Sequence, residues 1–335
     1  MNQTESTMKA IRVINKGESS SLEIKDYPTP EPKEHEIRVK IEATAINRAD
    51  LHQRAGKYPP PEGASEILGL EMAGIVDKVG TKVKRWSKGD HVFGLLPGGG
   101  YCQYCTMHED MAMPLPENLS FEEAAAVPET FLTAYQALSW LGNLQQLETV
   151  LIHAGGSGVG TSAIQLAKQL FSATIITTAG KQRKLETCRQ LGAQYAYNYK
   201  EQDFAEEITN ELGENAVNLV VDFIGAPYWE KNIEVLSMDG RLVYLSFLGG
   251  HRLERMSLSP LLKKRLKVMG STLRSRSLEY KIELTQAFSS DCMRLLEEGS
   301  LGPVIDSVFD WEDTEEAHQR MEDNENTGKI VLTGM

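Results

Sequence analysis

The stretch Thr149-Val-Leu-Ile-His153 runs into Ala154-Gly-Gly-Ser-Gly-Val-Gly160 and then into Thr161-Ser-Ala-Ile-Gln-Leu-Ala-Lys-Gln-Leu-Phe171. Its first part is a short apolar run of strand type. In its last part Ala163, Ala167 and Leu170, with Ile164 and Phe171, recur at helical spacing. The next apolar run ends at Thr178, so strand, turn, helix and strand fit into about 30 residues, the length of a βαβ unit. Glycines in such a turn let the backbone approach a pyrophosphate, and the helix start presents free N–H groups and the positive end of its dipole. The strict G-x-G-x-x-G spelling is missing, because Ser157 stands in the middle of an A-x-x-S-x-x-G arrangement. By spelling alone this is a tight turn; the strand before it and the helix after it favour a dinucleotide site.

An NAD site places Asp or Glu roughly 20 residues on, to bind the ribose 2′-hydroxyl. Here that place reads Thr177-Thr-Ala-Gly-Lys-Gln-Arg-Lys184, with three bases and no acid. A 2′-phosphate would be repelled by a carboxylate and attracted by Lys181, Arg183 or Lys184, so the cofactor expected is NADPH. The competing explanation for these bases is a solvated first helical turn.

Outward from this unit, strand-like segments at 149–153, 173–178, 217–223 and 240–246 alternate with helices, which marks a doubly wound parallel sheet. The first third reads differently. Ten of the thirteen prolines precede residue 130, among alternating segments such as Glu36-Ile-Arg-Val-Lys-Ile-Glu-Ala43, whose period of two marks half-buried strands. The fold class expected is therefore α/β, with a β-rich domain beside a Rossmann domain. After Gly270 come a helix at 282–298, a strand at 305–309, a helix at 314–322 and a strand at 329–333, which by pattern could join either domain.

At 335 residues the chain is long enough for two cores, and ligands are expected in the cleft between them. Apolar content of 41% and charged content of 24% are globular values, and no run reaches the roughly 18 apolar residues of a membrane span. The polar start, Met1 to Met8, carries no secretory signal, so a soluble cytoplasmic protein is expected. A net charge of −12 argues against nucleic-acid or anionic-membrane partners. Cys102 and Cys105 form one C-x-x-C pair, but Cys188 and Cys292 stand far away, so no structural zinc set is formed. Residues 101–108 read as a strand, and three residues of strand separate two Cα atoms by roughly 10 Å, too far for a disulfide.

With the glycine turn in view, the whole chain resembles the medium-chain dehydrogenase/reductase superfamily. Within it the zinc-free quinone oxidoreductases are most similar, above all the p53-inducible, zeta-crystallin-like type. The resemblance rests on Ala45-Ile-Asn-Arg-Ala-Asp50, Gly56-Lys-Tyr-Pro-Pro-Pro61, Ile67-Leu-Gly-Leu-Glu-Met-Ala-Gly74, Leu95-Leu-Pro-Gly-Gly-Gly100, the turn at 153–160, Asn198-Tyr-Lys200 and Gly328-Lys-Ile-Val-Leu332. It implies a GroES-like catalytic domain over 1–127 and 271–335 and a Rossmann NADPH-binding domain over 128–270. It also implies a homodimer made by joining cofactor-domain sheets.

Zinc alcohol dehydrogenases of the superfamily take ligands from a Cys near the Ala-x-Asn segment and from the His-Glu pair of a G-H-E-x-x-G motif. Those places hold Asn47 or Arg48, and Leu70-Glu71, which do not supply that set. Without a metal the acceptor must be electrophilic already, so a small quinone or enone is the substrate expected, reduced by hydride or single-electron transfer. Carry-over from the family makes Tyr58 and Asn47 the catalytic candidates, Tyr58 as a proton or hydrogen-bond donor that also lies beside the nicotinamide. Its alternative role is packing against Pro59-Pro-Pro61. The same carry-over puts Ser157, Gly158, Val159 and Gly160 at the pyrophosphate. It puts Gly180, Lys184 and Tyr199 at the 2′-phosphate and ribose, and Ile224, Phe247, Ser271 and Leu273 at the nicotinamide half, with Asn326 near the cofactor. An enoyl or alkenal reductase with Tyr58 protonating the α-carbon is the enzymatic alternative; a cofactor-binding structural or sensing protein is the non-enzymatic one.

Three further features read as structural. His153 is expected to be a satisfied buried imidazole, Asp50 a helix cap, and Lys263-Lys-Arg-Leu-Lys267 a solvated helix face. Arg274 and Arg276 could reach a phosphate, but the sequence does not place them.

Overall fold

The computed structural model describes residues 6–15, 17 and 20–335, so Met1 to Thr4 and Glu5 of the polar start lie outside the described residues. The chain divides into two compact units, Met1–Leu132 with Arg274–Met335, and Thr133–Leu273.

The first unit is built on strands β1 (Thr7–Ile14), β2 (Ser21–Pro28), β3 (Glu36–Ala45), β4 (Glu71–Val79), β5 (His91–Leu95), β6 (Tyr104–His108) and β7 (Ala112–Pro114). The period-two pattern acts as expected in β3, where Ile37, Val39, Ile41 and Ala43 are fully buried. Two short helices, α1 (Arg48–Arg54) and α2 (Phe121–Ala125), interrupt what reads as an all-β region. Asp50 does cap α1: its Oδ2 accepts from Asn47 N at 2.8 Å, and its Oδ1 accepts from Gly69 N at 2.9 Å. Helix α3 (Pro128–Tyr135) follows.

The second unit carries six parallel strands, β8 (Thr149–Ile152), β9 (Thr174–Ala179), β10 (Tyr195–Asn198), β11 (Val217–Asp222), β12 (Leu236–Tyr244) and β13 (Lys267–Gly270). Helices α4 (Gly158–Phe171), α5 (Gln182–Leu191), α6 (Phe204–Leu212), α7 (Trp229–Val235) and α8 (Ser259–Lys263) connect them. The order β10-β9-β8-β11-β12-β13 reverses direction between β8 and β11, which makes that pair the switch point of a doubly wound sheet. Leu151, Ile176, Val220 and Leu242 from four strands pack with Phe204, Ile208 and Ile233 from α6 and α7 in one core. Each such side chain contributes about 1.5–3 kcal/mol by leaving water.

The tail supplies α9 (Leu278–Glu297), β14 (Ile305–Asp310), α10 (Thr314–Glu322) and β15 (Lys329–Thr333). β15 pairs antiparallel with β3, so the order β14-β15-β3-β4-β5-β7 closes the sheet of the first unit, with β6 attached to β3.

Three expectations need correction. The strand at 101–108 begins only at Tyr104, because residues 101–103 cross between neighbours: Ile11 N donates to Tyr101 O, Cys102 forms an isolated bridge with Ala10, and Ile41 N donates to Gln103 O. The segment at 240–246 starts earlier, at Leu236, which pairs with Val217; the strand then bulges through Asp239 (φ 60°) and regains register at Arg241. The basic run at 263–267 is no helix face. Helix α8 stops at Lys263, and Lys264 Nζ donates to the carbonyls of Ile233, Glu234 and Leu236, groups left without intrahelical donors at the end of α7. All four cysteines are free and buried.

Candidate functional site

In the parallel-sheet unit the glycine turn follows β8 directly. Ser157 caps α4 by accepting from Gly160 N at 3.0 Å, and the first-turn N–H groups of Gly158 and Val159 have no acceptor within the helix. The glycines are there for space. A Cβ on Gly160 would lie 2.4 Å from Ala154 O and 2.7 Å from Gly155 Cα, both backbone atoms.

The second strand ends at Ala179, and Gly180-Lys181 turns into α5 with Lys181 at the N-cap position. Two close approaches join this end to its neighbours. A Cβ on Gly156 would meet the Lys184 stem at 2.8 Å, so Lys184 lies across the glycine turn; a Cβ on Gly180 would meet Tyr199 Oη at 2.6 Å. The fold thus gathers Ser157, Gly158, Val159, Gly160, Gly180, Lys184 and Tyr199 around the carboxyl ends of β8, β9 and β10. Ile224, Phe247 and Ser271 stand just past the ends of β11, β12 and β13, where Gly249 N donates to Ile224 O, a Cβ on Gly225 would meet Phe247 at 2.7 Å, and Ser271 N donates to Tyr244 O. Leu273, 5% exposed, closes this unit. Open α/β sheets bind ligands outside the carboxyl ends of their strands, and these residues line that edge. A free-amide helix start, a glycine turn with no room for side chains and a lysine laid across it fit a dinucleotide pyrophosphate.

Behind this edge lies a buried polar chain. His153 is fully buried, with Nδ1 2.9 Å from Thr178 Oγ1 and Nε2 2.8 Å from Asn232 Oδ1; Asn232 Nδ2 donates to Asp222 Oδ2 at 2.7 Å. Asn232 uses its amide N–H on Asp222, so its oxygen must accept from His153 Nε2–H, which leaves Nδ1 to accept from Thr178. Burial pushes the His153 pKa down, against the opposing field of Asp222. The imidazole is the satisfied structural histidine expected.

The β-rich unit holds Asn47, Tyr58 and Asn326. Asn47 sits between β3 and α1, and its side chain is engaged: Nδ2 donates to Ala45 O at 3.2 Å and Glu71 Oε1 at 2.8 Å. Its Oδ1 accepts from Lys329 Nζ at 2.7 Å. Lys329 spends its other two donors on Glu71 Oε1 at 2.7 Å and Ile46 O at 2.9 Å, while Glu71 Oε2 accepts from Glu129 N at 2.8 Å. Asn47 and Glu71 belong to the two segments in which the resemblance puts the zinc ligands of other relatives, and here they surround an ammonium. This donor set does not fit a zinc ion, because a lysine ammonium has no lone pair and the carboxylate is already taken. Among the described residues no other group of His, Cys, Asp and Glu could hold a metal. Asn326 donates to Gly328 O at 2.8 Å, at the start of β15.

Tyr58 is half-buried, with the Arg274 guanidinium carbon 5.4 Å from its ring centroid. Burial raises its pKa, helped by the field of Glu129 and opposed by Arg274, so the phenol keeps its proton at neutral pH. Burial also lifts Glu129, to about 8, with Glu71 adding to the effect. Lys329 and Glu129 are residues that sequence reasoning did not single out, and Arg274 was noted there only as a base able to reach a phosphate. Lys329 had a signal: a charged residue inside the apolar string Gly328-Lys-Ile-Val-Leu332 needs a buried partner. Glu129 had none, and the place of Arg274 had none, since their neighbours come from distant parts of the chain.

Comparison with known proteins agrees with this geometry. Residues 33–136 match the alcohol dehydrogenase GroES-like domain family, and residues 158–290 the family described as zinc-binding dehydrogenase. The chain is 30% identical to bovine quinone oxidoreductase-like protein 2, across 91% of this chain and 87% of the relative. It is 28% identical to human quinone oxidoreductase, across 97% of each. A solved mycobacterial structure complexed with NADPH superposes with a TM-score of 0.86 at 25% identity, covering 98% of this chain and 100% of that one. Two family matches, near full-length relatives and a glycine turn at a sheet's switch point agree: the chain belongs to the medium-chain dehydrogenase/reductase superfamily, as an oxidoreductase of the quinone oxidoreductase type.

Proposed function

We propose that this protein reduces quinones with NADPH and without a metal. The observation that carries the reading is the Lys329 ammonium held between Asn47 and Glu71, where zinc relatives would assemble their ligands. With those donors spent, the acceptor must accept a hydride without help from a metal, which quinones and related conjugated carbonyls can do. Human and bovine relatives named quinone oxidoreductase and quinone oxidoreductase-like support the same acceptor class.

NADPH rather than NADH is supported by the end of β9, where no carboxylate stands and Lys184 lies across the glycine turn. When bound, that cofactor supplies the hydride. The chain's own part is binding and placement. Gly158 and Val159 N–H groups hold the pyrophosphate, and Lys184 neutralises the 2′-phosphate beside Tyr199. Ile224, Phe247, Ser271 and Leu273 enclose the nicotinamide half. Tyr58 holds a proton at its phenol oxygen for the reduced acceptor, and Asn47, fixed by three hydrogen bonds, keeps its segment rigid. β13 is one of the two outer strands of its sheet, and pairing of that edge with a second copy forms the homodimer.

The test is NADPH oxidation with ortho-quinones, para-quinones, enals and an enoyl thioester as acceptors, comparing wild type, Tyr58→Phe and Lys184→Glu. Quinone turnover, with NADPH affinity lost in Lys184→Glu and NADH affinity kept, is the expected result. Turnover of the enoyl thioester alone, abolished in Tyr58→Phe, would replace the reading by a double-bond reductase. NADPH binding without turnover of any acceptor would leave a cofactor-binding protein.

A further inference from the structure

Arg274 heads the tail that returns to the β-rich unit, and it is 6% exposed. Its Nε donates to Pro97 O at 2.8 Å. The other two nitrogens, Nη1 and Nη2, are closed off from bulk water and have no hydrogen-bond partner. A guanidinium keeps its charge in any protein environment, so these are charged donors held dry and unpaired, a costly arrangement unless something comes to use them. No ion pair relieves them among the described residues.

The loop Pro97-Gly-Gly-Gly100 passes this group without side chains, and a Cβ on Gly98 would stand 3.4 Å from Nη2. The half-buried Tyr58 ring stacks on the guanidinium, its centroid 5.4 Å from the guanidinium carbon. Two N–H prongs beside a phenol form a pair of donors suited to an oxygen that gains negative charge.

We propose that Arg274 is the electrophilic group for the acceptor, its Nη1 and Nη2 hydrogen-bonding the carbonyl oxygen that becomes an oxyanion as hydride arrives at the conjugated system. The inference rests on the reductase reading above and deepens it. Hydride and its electron pair pass from NADPH to the acceptor, the oxygen takes the charge against Arg274, and the Tyr58 phenol proton, replaced from solvent, neutralises it. Arg274 does at this oxygen what a metal does in the zinc relatives, and acceptor binding disturbs the stack between Tyr58 and Arg274.

Two measurements on the full chain test this. With the protein saturated in NADP⁺, 4-nitrophenol is titrated against pH and its yellow phenolate followed; a cationic oxyanion site lowers its apparent pKa by about one unit. Arg274→Met should abolish that shift and lower quinone kcat/KM by about 10²-fold, with the thermal midpoint unchanged or raised, because an unpaired buried charge is removed. Arg274→Lys, which keeps the charge and loses the fork, should retain part of the phenolate shift and at most about a tenth of kcat/KM. Either variant with an unchanged phenolate shift and kcat/KM within about twofold of wild type overturns the proposal, as does a loss of thermal midpoint in Arg274→Met with both readouts intact. If wild type reduces no acceptor but shows a phenolate shift that Arg274→Met removes, the reductase reading fails while the oxyanion site stands.

Discussion

Lys329 Nζ lies 2.7 Å from Glu71 Oε1, and the two side chains are only 3% and 0% exposed. All three ammonium protons are used, so the pair is a satisfied buried network rather than a lone charge contact. Removing one partner strands the other without water. Lys329→Met should therefore destabilise the β-rich unit by about 3–5 kcal/mol, and adding Glu71→Gln should restore a substantial part of it, as urea unfolding of the two variants would reveal.

Gly160 carries no side chain because backbone atoms occupy its place. Gly160→Ala should lower NADPH affinity at least tenfold and cost about 1–3 kcal/mol, since the turn must move to admit a methyl group. Fluorescence titration with NADPH and a thermal melt would check the two effects separately.

The Glu129 carboxyl is pushed from 4.5 to about 8, first by burial and then by Glu71. Below 4.5 both folded and unfolded chains keep this proton. Between 4.5 and about 8 the unfolded chain has lost it while the folded chain holds it, so this group makes stability fall as pH rises through that window and leaves it flat above. Urea midpoints of wild type and Glu129→Gln across that range should differ in slope, the variant gaining most near pH 8.

His153 should stay neutral, in the Nε2–H tautomer, below its ordinary pKa of 6.5, because burial lowers its affinity for a proton. The unfolded chain binds that proton as pH falls through 6.5, so stability is lost in the acid direction. Nitrogen-15 NMR of the imidazole would read the tautomer directly. An imidazolium signal in the folded protein just below pH 6.5 would contradict the hydrogen-bond chain through Asn232 and Asp222.

The cluster of strand ends proposed to hold the cofactor was largely legible in the sequence. Ser157 to Gly160, Gly180 and Tyr199 follow strands whose apolar periodicity is local, and a βαβ unit places the ends of its own strands together by connection rules. What missed there was backbone detail, such as the bulge at Asp239 and Lys264 turning back onto α7, since neither leaves a trace in hydrophobic pattern.

The polar cluster of the β-rich unit was legible only as separate motifs. Sequence by itself determined a glycine turn without a following acid, the missing zinc ligands, and a β-rich first third. Only tertiary structure decided that Lys329, from a strand near the chain's end, fills the space between Asn47 and Glu71, and that Arg274 reaches Tyr58 with two donors to spare. The physical reason is range. Helix and strand periods and turn chemistry are properties of neighbouring residues, whereas the Lys329 charge is satisfied by side chains more than 200 positions away, which the pairing of β15 with β3 brings into contact.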